Sequence, residues 1–112
     1  MFRKKWVLLC MLVLLVGCSN VTGKKALSAH IDQLEEALNK QDWEPLQDQA
    51  TELKDLYDKN KWKIQLIGDE GEYEQLDESI DKFIAAIEMR KQTEAKLELA
   101  TIRSLVQAIY SL

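Results

Sequence analysis

Most of the residues that chemistry leans on are scarce in this chain of 112 residues. Its two cysteines, Cys10 and Cys18, both fall within the first eighteen positions. The rest of the chain can therefore form no disulfide, thiolate nucleophile or cysteine-ligated metal centre. The single histidine, His30, lacks the second imidazole or thiol that a zinc site needs, and it reads as a surface or boundary residue. Glycine occurs four times and proline once, at Pro45. With so few turn residues there is no glycine-rich phosphate loop, and no serine sits in a nucleophile elbow. Strand signals are absent throughout. Neither an enzyme nor a cofactor is expected.

Long apolar runs are just as rare, and the one that exists opens the chain. Arg3, Lys4 and Lys5 precede an apolar stretch from Trp6 to Val16, which ends in Gly17-Cys18. At twelve residues, Trp6 to Gly17 falls short of the roughly 20 that a membrane-spanning helix requires, and the pattern is that of a signal peptide. Leu15-Val16-Gly17-Cys18 resembles the lipobox of bacterial lipoproteins, with Val16 standing where Ala, Ser or Thr is usual. The resemblance implies diacylglyceryl transfer to the Cys18 thiol and cleavage before it. Residues 1–17 are then a signal peptide, residues 18–25 a lipidated cysteine with its tether, and residues 26–112 the folded domain.

Basic charge is the next shortage. Without Arg3, Lys4 and Lys5, twelve basic residues face nineteen acidic ones, a net charge of −7. Such a domain has no overall attraction for nucleic acid, and a bilayer partner must be held through acylated Cys18 rather than through bulk charge. The expected location is the extracytoplasmic face of the cell membrane.

What the chain does have is helical periodicity. Leu27, Ile31, Leu34 and Leu38 share one face of a helix expected from Ala26 to Lys40. A second helix is expected after Asp42, with Pro45 in its first turn and a stripe of Trp43, Leu46, Ala50, Leu53, Leu56 and Tyr57. Trp62 falls out of phase with that stripe, which predicts a bend at residues 58–61. Gly68 and Gly71 mark a loop before a third helix from Glu72 to Arg90. Thr93 is a candidate cap for a fourth helix reaching Tyr110; with no proline or glycine between them, the third and fourth are either separated by a turn, the preferred reading, or form one long kinked helix. An offset of 49 residues aligns Ile31 with Ile80, Leu34 with Phe83, Leu38 with Ile87, Leu53 with Ile102 and Leu56 with Leu105. The fold class is all-α: a small four-helix bundle or two stacked helical hairpins.

Few side chains stand out as candidates for a site. Trp43 and Trp62 are the largest apolar groups of the domain and the candidate contact surface, or together the lining of a ligand pocket. Asp69, Glu70 and Glu72 form an acidic cluster that could attract a divalent cation, although no EF-hand spacing accompanies them. The macrodipole at the start of the third helix accounts for the same acids without a metal.

The two tryptophan segments, the run DEGEYEQLDESIDKF from Asp69 and the terminal ATIRSLVQAIY resemble a family of small helical lipoproteins from spore-forming Gram-positive bacteria, grouped as a domain of unknown function. That resemblance implies a helical fold and a Gram-positive setting, and brings no activity with it. The reading that combines these signs is a non-enzymatic, membrane-anchored module binding an envelope or membrane protein. The alternative is a lipoprotein that binds a small ligand or a divalent cation.

Overall fold

The computed structural model describes residues 23–111. The apolar leader, the lipobox-like run with Cys18 and most of the tether lie outside the described residues. Four helices follow one another: α1 (Lys24–Lys40), α2 (Trp43–Ile67), α3 (Glu70–Glu88) and α4 (Gln92–Ile109). Each packs on its sequence neighbour, and α1 closes the ring against α4. This is an up-and-down four-helix bundle. The basal end holds the start of α1, the end of α2, the start of α3 and the end of α4. The apical end holds the two hairpin turns.

The core repeats at a fixed interval. Leu27, Ile31, Leu34 and Leu38 are buried on α1, and Leu76, Ile80, Phe83 and Ile87, each 49 residues on, are buried on α3. Leu46, Ala50, Leu53, Tyr57 and Asn60 of α2 answer in the same way to Ala95, Leu99, Ile102, Val106 and Ile109 of α4. Spacing that alternates between three and four residues keeps each stripe on one side of its helix.

Even the turns obey the interval. Gln41 and Arg90, again 49 residues apart, are left-handed with φ of 56° and 54°. After α1, the N–H of Gln41 donates to the Leu38 carbonyl and that of Asp42 to the Ala37 carbonyl, at 3.1 and 3.2 Å. After α3, the N–H of Arg90 reaches Ile87 and that of Lys91 reaches Ala86, at 3.0 and 2.9 Å. Both are Schellman closures, achieved without the glycine that usually takes the left-handed position.

Four expectations need correction. α2 is not interrupted at residues 58–61 but runs as one helix from Trp43 to Ile67. Its inward stripe passes through Asn60 to Ile64, and Asn60 satisfies its amide by donating to the Leu56 carbonyl at 2.8 Å. Trp62 is out of phase because it faces outward. Gly71 lies inside the first turn of α3 rather than in a loop, leaving Gly68 and Asp69 to make the connection. Lys91, not Thr93, occupies the cap position of α4. α1 also begins at Lys24, two residues earlier than Ala26, because Gly23 can take a φ of 75° while packing against Asn60.

The glycines yield a first prediction. A Cβ on Gly71 would meet nothing within 4 Å. Gly71→Ala should therefore stabilise the bundle by roughly 0.5–1 kcal/mol in urea unfolding, the usual gain for replacing a helical glycine. A Cβ on Gly68 would stand 3.0 Å from the Ile64 carbonyl oxygen and 3.3 Å from Ile109, so Gly68→Ala should destabilise. A second prediction concerns alkaline pH. Burial, then the nearby charges of Asp77 and Asp58, push the Tyr57 phenol up to about 12, and its hydroxyl donates to the Tyr73 carbonyl at 3.2 Å. The fold holds the phenol neutral. That contribution is whole below the unfolded value of about 10 and is lost as pH rises towards about 12. Urea midpoints across this window should fall more steeply for the wild type than for Tyr57→Phe.

Candidate functional site

Polar contacts bind three of the four seams between neighbouring helices. His30 Nε2 lies 3.2 Å from Glu52 across α1–α2. Lys54 pairs with Asp81, and Lys61 with Asp77 at 3.6 Å, across α2–α3. The hydrogen bond from Lys54 to Asp81 raises the pKa of this lysine. Arg103 joins α4 to α1 through Asp32 at 2.8 Å and Glu35 at 2.6 Å. At the apical end of that seam Gln92 Nε2 donates to the Leu38 carbonyl, and Gln41 donates to Gln92 Oε1, both at 2.8 Å. Among the described residues no salt bridge crosses α3–α4.

That unbridged seam carries an open groove of about 310 Å³ near the apical end. Ala85, Ala86, Met89 and Leu97 supply its apolar surface, with Lys82, Glu94 and Glu98 around it. Met89 and Leu97 are 62% and 65% exposed. Lys82 is held cationic chiefly by its hydrogen bond to Glu78, 3.0 Å away on the same helix. A second groove, of about 380 Å³, runs between α1 and α4 over Leu38 and Leu99. The Glu35 and Arg103 on its rim already neutralise one another.

The other exposed apolar pair sits at the basal end. Trp62 and Leu66, 60% and 76% exposed, are one turn apart on the outward face of α2. Lys63 Nζ lies 5.4 Å from the centroid of the Trp62 ring, within cation–π range. Trp43 is half-buried against the core at the opposite end of the same helix. Nineteen residues of helix separate the two tryptophans by about 28 Å, so they cannot line one pocket. The shared-pocket expectation is corrected accordingly.

Asp69 caps α3 through its backbone carbonyl, which accepts from the N–H groups of Glu72 and Tyr73 at 3.0 and 3.1 Å. Glu70 and Glu72 lie in the first turn. Among the described residues no three His, Cys, Asp or Glu side chains converge as a metal would require. Cys18 lies outside the described residues. No described helix is long and apolar enough to cross a membrane.

Sequence reasoning passed over Met89 and Leu97. Their signal was available: each is a large apolar residue two positions from a core residue, Ile87 and Leu99, and so off the inward stripe. Gln92 carried no comparable signal, because its role as a cap for α1 exists only once α4 has docked.

The dispersed acids generate a prediction. Millimolar calcium or magnesium should leave the melting temperature of the domain unchanged in differential scanning fluorimetry. A cation at about 100 times its Kd would instead add roughly 2.7 kcal/mol and a visible shift.

Neither the curated proteins nor the solved structures contain a match to this chain. A family model does match over residues 20–112, essentially all of the chain beyond the apolar leader. The four-helix bundle described above is thus the fold of an uncharacterised family, and the chain belongs to DUF4363, a domain of unknown function.

Proposed function

We propose that this chain is a lipid-anchored, non-enzymatic interaction module on the outer face of the cytoplasmic membrane. Acylated Cys18 holds it to the bilayer, and its apical groove binds an envelope or membrane protein. The observation that carries the reading is the α3–α4 seam. The other three seams are crossed by polar side-chain contacts, whereas this one presents Met89 and Leu97 over small Ala85 and Ala86. An apolar side chain of a partner would displace water from the groove, while Lys82, Glu94 and Glu98 form a charged rim that selects its orientation. Methionine is unbranched and polarisable, so it can repack around such a side chain. The anchor and the groove divide the labour between the two ends of the bundle. Chain leading from Cys18 joins α1 at the basal end, which leaves the groove facing away from the lipid.

Two measurements in intact cells test the two halves of the proposal. Metabolic labelling with an alkyne fatty acid should mark the wild-type chain and leave Cys18→Ala unmarked; an unlabelled wild type would remove the anchor. Crosslinking with mass spectrometry should recover a membrane or envelope protein with the wild type and lose it with Leu97→Lys. Leu97 is largely exposed, so this change spares the core. Equal recovery from both proteins would move the contact away from the groove.

A further inference from the structure

The basal patch differs from the apical groove in chemistry. Lys59, Trp62, Lys63 and Leu66 make one stripe along the last turns of α2. At 100° per residue, Trp62 and Leu66 point directly away from the core, and Lys59 and Lys63 lean towards α1, the flank on which Glu52 meets His30. Neither Lys59 nor Lys63 is paired with an acid among the described residues, unlike Lys54 and Lys61 on the opposite flank. Asp58 lies on that opposite flank, facing α3. Asp55 shares the outward face but stands two turns nearer the middle of the helix than Trp62. Lys24 and Lys25, at the start of α1, add two more cations to the same end.

The patch is also level with the point where the chain arrives. Gly23 packs against the Asn60 side chain, and Trp62 is two residues, about 3 Å, further along the helix axis. Only residues 19–23 separate Cys18 from α1, a reach of about 20 Å at full extension. Tryptophan favours the boundary between water and lipid, leucine buries itself below it, and long lysine stems let their charges remain at the headgroups. We propose that the Lys59–Trp62–Lys63–Leu66 stripe of α2 is a second membrane contact, laying the outer flank of the helix on an anionic phospholipid surface. It rests on the lipid-anchored reading, because that anchor is what brings the stripe to the bilayer.

The test imposes the anchor chemically, so that its outcome does not depend on native acylation. Residues 18–112 contain the whole described core, and Cys18 is their only cysteine. Its thiol is coupled to a maleimide lipid in vesicles of phosphatidylcholine and phosphatidylglycerol, and tryptophan emission is recorded for this chain and for Trp62→Phe. Trp62 is exposed, so the substitution leaves the core intact and the difference spectrum belongs to Trp62. The expected result is a blue-shifted Trp62 emission, quenched by brominated acyl chains and shielded from acrylamide. Lys59→Gln and Lys63→Gln should each lower the ratio of docked to undocked chains about fivefold. An emission matching that of the uncoupled chain, with no quenching by brominated lipid, would overturn the proposal. A blue shift that grows with surface density but escapes brominated lipid would assign the stripe to a second copy of the chain, and would overturn it equally.

Discussion

Asn60 fills an inward position of α2 and returns its amide proton to the Leu56 carbonyl, so the longest helix of the bundle runs through a polar residue without breaking. Much follows from that one bond. Because the helix continues, Ile64 stays in register with Tyr57 and joins the core. Trp62 and Leu66 are thereby fixed on the outer face. The Asn60 side chain also meets Gly23 so closely that an added Cβ would come within 2.8 Å of it. The start of α1 is set against the last third of α2. A larger residue at position 23 would have to displace this amide while also adopting a left-handed backbone.

The repeat explains why four short amphipathic helices suffice. Each hairpin presents the same spacing of core positions and closes with a left-handed residue at the equivalent position, so the two meet with matching stripes. No glycine stands at either closure, and Gln41 and Arg90 each bear the steric cost of the left-handed region. At Gln41 that strain is offset where the hairpins dock. Gln92, at the first position of α4, donates to a terminal carbonyl of α1 and accepts from Gln41 itself. The turn of one hairpin is therefore held by a helix of the other.

Helix number, order and most inward residues were legible from the 3.6-residue period, because burial of an apolar stripe dominates the stability of short helices. What escaped depended on partners distant in sequence. An asparagine reads as a breaker until its bond to Leu56 and its contact with Gly23 are seen. Gly71 reads as a loop residue because glycine is the strongest local punctuation, yet here the adjoining Gly68 and Asp69 already complete the turn. Trp62 was legible as a residue out of phase with its helix. The groove was not, because it forms only where Ala85, Ala86 and Met89 of α3 meet Leu97 of α4, a juxtaposition that no single helix reveals. The acids at the start of α3 fit the macrodipole reading, and their side chains remain spread along the helix end.

Charge arrangement would reconcile an acidic domain with the proposed contact on a negatively charged lipid surface. At physiological ionic strength the Debye length is about 8 Å, so acids at the apical end, about 25 Å away along α1, are screened from a bilayer beneath the basal end. Only the basal charges then bear on the contact, and they are divided between flanks. Lys59 and Lys63 lie on the α1 side of α2, whereas Asp58, Asp69, Glu70 and Glu72 gather towards α3. An anionic surface would attract the first flank and repel the second, tilting the bundle rather than expelling it. Such a tilt would lower the outer face of α2, with Trp62 and Leu66, while α3 would rise. In the proposed orientation the same field that opposes the domain as a whole would select the face it presents, and the apical groove would stay turned away from the lipid.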